Sequence, residues 1–216
     1  MTNKIIFQHN FCESRMQDDN PPELFNAFSA FAITIVPLVM GIPSRLNFKN
    51  VSYMLILNGG FSCYYHYSLT WLGKHLDEIT MIIATYFINV ELSRNYTHFN
   101  LIHIQNTFTL PVILAINTVP TMDIYFPYIF AGYCAETVIM MVHLSQLFGI
   151  SKGVIKNLGV AALGTISWLI SEHYCNEITQ YGHILWHILF PLGVYNILLI
   201  FDKHHIPEIY EREISV

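Results

Sequence analysis

After Pro21-Pro22, a pair that suits a helix start, long apolar runs alternate with short polar breaks. Seven apolar stretches stand out, at 23–42, 51–71, 77–93, 101–119, 124–147, 154–171 and 180–201. Each is close to the roughly 20 residues a helix needs to cross a hydrocarbon core. The pattern predicts an all-α, polytopic membrane protein with seven transmembrane helices. Pro111 falls inside the fourth stretch and Pro191 inside the seventh. Membrane helices tolerate such kinks when neighbours satisfy the freed carbonyls. The breaks contain no low-complexity tract and no internal repeat. Residues 1–22 hold no long apolar run and do not resemble a secretory signal. The expected organisation is a polar N-terminal segment (1–22), a transmembrane domain (23–201) and a polar tail (202–216).

Composition supports this reading. The chain is 53% hydrophobic and only 12% charged, about half the charge of an ordinary soluble domain. It is too apolar for disorder. Ten Lys and Arg against fifteen Asp and Glu leave no basic face for nucleic acid. Four cysteines are too few for a disulfide scaffold. Orientation follows from the basic residues. Lys4, Arg15 and Lys74 share one face, whereas Arg45, Lys49, Arg94, Lys152, Lys156, Lys203 and Arg212 share the other. The N-terminus is therefore expected outside or in a lumen and the C-terminus in the cytosol. The sequons at Asn50 and Asn95 then face the cytosol and stay unmodified.

Ionisable groups inside a bilayer are expensive and mark function. Of the eleven histidines, three converge on one level near the outer face. His66 lies about 8 Å before the exit of the second stretch, and His183 and His187 about 5–10 Å below the same face in the seventh. His183 and His187 are i and i+4 and share a helix face, as do Ser62 and His66. Asp77 opens the third stretch at the same level. Three histidines with an open position form the ligand set of a catalytic zinc, beside which a carboxylate can accept the water's proton or orient a ligand. The alternative is a set of histidines that only hydrogen-bond between helices.

These residues resemble the alkaline ceramidase family, within a wider group of seven-span membrane hydrolases. The resemblance rests on Ser62-x₃-His66-x₁₀-Asp77 and on His183-Ile-Leu-Trp-His187 followed by LGVY. Phe11-Cys12-Glu13, Glu23-Leu-Phe-Asn26 and Gly164-x₃-Trp168-x₆-Cys175 add to it, in the family's order and at nearly its spacing. It implies that His66, His183 and His187 bind Zn²⁺ and that Ser62 and Asp77 are catalytic, assisting hydrolysis of the ceramide amide to a fatty acid and a sphingoid base. It implies a disulfide between Cys12 and Cys175, which fits an oxidising outer or lumenal face. It also implies a Ca²⁺ site in the N-terminal segment, with Asn10, Glu13 and Glu23 at matching positions. Here Asn10 stands where the family has aspartate, Phe11 where it has tryptophan, and Arg15 where it has asparagine. Asp18 or Asp19 would have to compensate, since a hard cation takes several oxygen ligands and an arginine opposes it; otherwise Arg15 pairs with Glu13 or Glu23. Ser171 replaces a family aspartate.

Other polar residues have plainer readings. Glu136, mid-span, is expected to stay protonated or to bond Asn106. Glu91 and Arg94 form an i,i+3 ion pair, and Cys63 and Cys134 are packing residues. Tyr64-Tyr65 and Tyr125–Tyr128 suit interfacial anchors. The expected activity is zinc-dependent hydrolysis of ceramide or a similar membrane lipid. The alternatives are a related adiponectin-receptor-like or GPI-remodelling protein, or a lipid sensor whose zinc is not catalytic. A channel or transporter is disfavoured, because the polar cluster sits at one face. The chain is expected in an internal membrane, ER or Golgi, in a eukaryotic cell and otherwise in the cytoplasmic membrane, with the bilayer and its lipid substrate as partners.

Overall fold

The computed structural model describes residues 11–17, 22–95, 99–119 and 125–204, and it is all-helical. A single turn, α1 (Cys12–Arg15), precedes seven long helices: α2 (Leu24–Met40), α3 (Leu46–Ser68), α4 (Trp71–Ser93), α5 (Phe99–Thr118), α6 (Phe126–Leu147), α7 (Ser151–His173) and α8 (Gly182–Lys203). They fall on the seven expected stretches. Three segments, Pro127–Leu147, Ser151–His173 and Thr179–Lys203, are long and apolar enough to cross a membrane, and α2 is apolar but 17 residues long. The other helices carry more polar side chains, among them Asn58, Ser62 and His66 on α3 and Lys74, Asp77, Glu78 and Glu91 on α4. Large apolar side chains point away from the protein: Phe28, Val39, Phe108 and Ile139 are 68–77% exposed. Hydrocarbon accommodates such a surface where water would not. Pro37, Pro111 and Pro191 all lie inside helices.

Helix α2 packs on α3 and α8, α4 on α3 and α6, and α7 on α6 and α8, which closes a ring; α5 flanks α4. Small residues let α7 and α8 approach closely. A Cβ on Gly193 would come within 2.5 Å of the Asn157 carbonyl oxygen, and one on Gly182 would collide with the Ser167 carbonyl.

The apolar core fills one half of the ring. Phe48, Val51, Ile88, Leu92, Met141, Leu144, Val154, Tyr195, Leu198 and Phe201 form it, from the starts of α3 and α7 and the ends of α4, α6 and α8. Polar groups close that end. The Asp202 carboxylate accepts from the Ser44 and Arg45 backbone N–H groups, each at 2.9 Å, and so caps α3. Glu91 accepts from Asn47 at 2.8 Å and lies 3.4 Å from Arg45 and 3.9 Å from Arg94. The expected Glu91–Arg94 pair is thus the loosest contact of a larger node, because α3 delivers two better-placed donors. The opposite half of the ring holds the histidines.

Candidate metal centre and active site

The α3–α4 turn sets the site. Helix α3 stops at Ser68 because Leu69 takes a left-handed conformation (φ 44°), its N–H donating to the Tyr65 carbonyl at 2.7 Å. Thr70 then caps α4, its hydroxyl accepting from Gly73 N–H at 3.2 Å. A Cβ on Gly73 would lie 2.9 Å from the Tyr65 Cα, so the two helices leave the turn nearly in contact. His66 therefore sits in the last turn of α3. Asp77 lies in the second turn of α4 rather than opening it, because α4 begins six residues before the expected start of its apolar stretch. His183 and His187 occupy the first two turns of α8.

The three imidazoles are buried, and their ligand nitrogens lie within 4.8 Å of one another. Two are oriented from behind. His66 Nδ1 meets the fully buried Glu23 carboxylate at 2.7 Å, and the Glu23 N–H donates to the His66 carbonyl at 3.1 Å. His187 Nδ1 meets the Ser29 hydroxyl at 2.8 Å. In both rings Nε2 remains for a ligand. His183 Nδ1 is buried without a hydrogen-bond partner among the described residues. The Phe11 ring covers the cluster, with its centroid 4.5 Å from His183 and 5.0 Å from His66. Three buried nitrogen ligands, two of them fixed by a carboxylate or hydroxyl at the other nitrogen, fit a zinc site.

Beside them is a second polar group. The buried Ser62 side chain lies within interaction range of the Asp77 carboxylate. Asn58 Nδ2 donates to Asp77 Oδ1 at 2.8 Å and to its carbonyl at 3.0 Å. Asn58, Ser62 and His66 are spaced i, i+4, i+8, so one face of α3 carries all three. Lys74, one turn before Asp77, pairs at 3.2 Å with Glu78, the residue after it, and Asn117 of α5 donates to Glu78.

The N-terminal segment is tied down by three carboxylates. Glu13 accepts from the Phe25 and Asn26 N–H groups, both at 2.8 Å, and so caps α2. Burial pushes the Glu13 carboxyl up from its ordinary value, and those two N–H bonds pull it back. Glu23 also accepts from Phe11 N–H at 3.1 Å and the Ser14 hydroxyl at 2.7 Å. Arg15 pairs with neither. Its guanidinium donates to the Glu172 carboxylate at 3.0 Å and to the Glu172 carbonyl at 2.9 Å, because the end of α7 lies beside α1. Cys12 and Cys175 form the expected disulfide, with Cα atoms 5.3 Å apart. Asn10, Asp18 and Asp19 lie outside the described residues, as do His9, His98 and His205.

Elsewhere the polar residues settle differently from expectation. Glu136 accepts from Gln105 at 3.4 Å rather than from Asn106, whose buried amide has no partner among the described residues. Ser171 is fully buried, its hydroxyl likewise unpartnered among them. Cys63 and Cys134 are partly buried free thiols. Sequence reasoning missed Ser29 and Asn58, and it named Glu23 only for calcium, without the contact to His66. The signal was present for the first: Glu23, Asn26 and Ser29 recur every three residues at the cap and first turns of the mostly apolar α2.

Two comparisons bear on this geometry. The family model described as Ceramidase matches residues 7–213. The chain is also similar to alkaline ceramidase 1 of Mus musculus, at 28% identity over 231 aligned residues, covering 92% of this chain and 82% of the mouse protein. With nearly its whole length matched by that family's model, and with buried histidines grouped at one end of a helical ring, the chain belongs to the ceramidase family of amidohydrolases.

Proposed function

We propose that the chain is a zinc-dependent hydrolase of the ceramide amide bond, that α2–α8 are its seven membrane spans, and that its N-terminus faces the outside or a lumen. The observation that carries this reading is the meeting of His66, His183 and His187, with ligand nitrogens within 4.8 Å, near Ser62 and Asp77. Zinc, when bound, supplies a polarised water that ionises near neutral pH.

The chain's own groups do the rest. Asp77 accepts the proton of the attacking water and returns it to the departing sphingoid amine. Asn58 holds the Asp77 carboxylate in place at 2.8 Å. While Asp77 is ionised, the Ser62 hydroxyl donates to it. Once Asp77 carries the proton it accepts more weakly, and Ser62 turns its O–H to the oxyanion growing on the former carbonyl. One such donor is worth about 2.7–4 kcal/mol in other hydrolases. Phe11 keeps water off the histidines from the N-terminal side.

The test is fatty-acid release from ceramide by purified protein, with metal content measured on the same sample. Wild type should hold zinc and turn over, and Asp77→Asn should hold zinc without turnover. Zinc with no release from any ceramide or ester lipid would favour the sensor reading, and activity retained in His183→Ala would sink the assignment of the site.

A further inference from the structure

The calcium site that the family resemblance implies does not fit the donor set of the described residues, outside which Asn10, Asp18 and Asp19 lie. Among the described residues, six carboxylate oxygens surround the N-terminal segment, those of Glu13, Glu23 and Glu172, and each accepts from a donor. Glu13 holds the Phe25 and Asn26 N–H groups. Glu23 holds Phe11 N–H and the Ser14 hydroxyl on one oxygen and His66 Nδ1 and the Asn26 amide, the latter at 3.4 Å, on the other. Glu172 holds Cys12 N–H at 3.2 Å on one oxygen and Arg15 at 3.0 Å on the other. The buried Asn26 Oδ1 is without a donor among the described residues. One neutral oxygen is a single ligand, whereas Ca²⁺ takes six to eight.

We propose that Arg15 is a built-in cation: its guanidinium on Glu172, not a calcium ion, fastens the N-terminal segment over the histidine cluster. Three carboxylates gathered near one another repel, and Glu172 is within electrostatic reach of both Glu23 and His66. Arg15 supplies the opposing charge, and its second hydrogen bond, to the Glu172 carbonyl, fixes the geometry. Because Glu172 also holds Cys12 N–H, next to Phe11, the pair sets where the Phe11 ring rests. Arg15 is thus a positioning residue. It touches neither the histidines nor the substrate, and it acts through the segment that carries Phe11.

The experiment uses the full chain in detergent, freed of calcium. Calcium chloride is titrated into it by calorimetry up to about 1 mM, the weak end for protein calcium sites, and thermal unfolding is followed with and without the ion. Wild type should give no saturable heat and no calcium shift in the unfolding midpoint. Arg15→Gln should unfold a few degrees lower and show a several-fold higher KM with zinc content unchanged, and Arg15→Lys should recover most of the difference. Adding Glu172→Gln to Arg15→Gln should cost little more, since the two changes break one contact. Stoichiometric calcium binding by wild type would overturn the proposal, as would an Arg15→Gln protein equal to wild type in midpoint and KM. If that variant does not fold, the wild-type titration still decides. Calcium heat and unfolding are read without substrate, so failure here is distinguishable from failure of the hydrolase reading.

Discussion

Glu23 stands behind His66: its carboxylate lies 2.7 Å from Nδ1, and its own N–H closes on the His66 carbonyl at 3.1 Å. Neither side chain is more than 1% exposed. The pair joins the start of α2 to the end of α3, so one residue fixes both the orientation of the ring and the entrance of the chain into its first long helix.

Glu23→Gln should therefore weaken the metal site without removing a ligand. Losing such an outer partner costs 10–100-fold in metal affinity or activity in other sites. Zinc affinity measured by competition with a chromophoric chelator should fall by about that factor, and excess zinc should recover most of the turnover. An unchanged affinity would mean that Glu23 serves only the N-terminal segment.

Ser29→Ala tests the same idea on His187 with a milder change. The hydroxyl is neutral, so its bond to Nδ1 is weaker than the carboxylate's. Zinc affinity should drop by less than in Glu23→Gln, and the unfolding midpoint of the zinc-free protein should move little. A larger loss than Glu23→Gln would reverse the ranking of the two partners.

How far the sequence foretold this arrangement depends on distance along the chain. Helical spacing brought out His183 with His187 and Ser62 with His66, because i,i+4 pairs share a face whatever the tertiary fold. The same logic applied to α2 would have drawn attention to Glu23, Asn26 and Ser29. Their partners could not be found that way: His66 is 43 residues from Glu23 and His187 is 158 from Ser29. Arg15 and Glu172, 157 residues apart, meet only because the disulfide and the end of α7 bring them together. The early start of α4 was hidden for another reason. A left-handed Leu69 is unusual for a branched side chain, and nothing in the local sequence announces it.

Gly193→Leu should damage the ring more than the site. Its Cβ would meet the Asn157 carbonyl oxygen at 2.5 Å and the Ala161 N at 2.7 Å, both backbone atoms of α7 that cannot swing aside. Overpacking of this kind costs about 1–3 kcal/mol. The folded fraction in detergent should fall, while any folded protein should bind zinc as wild type does. Wild-type stability would mean that α7 and α8 are not held at this distance.

Asp77→Asn should separate chemistry from binding. The amide keeps nearly the same volume and can still accept from Asn58, but it cannot take a proton at neutral pH. General base catalysis contributes about 10²–10⁴-fold in rate, so kcat should fall by at least two orders of magnitude while zinc content stays at one per chain. A loss of zinc in this variant would instead place Asp77 among the ligands.

The central claim is that His66, His183 and His187 together hold the zinc that ceramide hydrolysis requires, and one paired measurement addresses it most directly. Zinc per chain and fatty-acid release from ceramide are determined on the same purified preparations of wild type, His66→Ala, His183→Ala and His187→Ala. Wild type should hold one zinc and turn over, and each folded variant should lose both. Turnover surviving in any of the three, or a wild-type enzyme that hydrolyses ceramide with no bound metal, would contradict it.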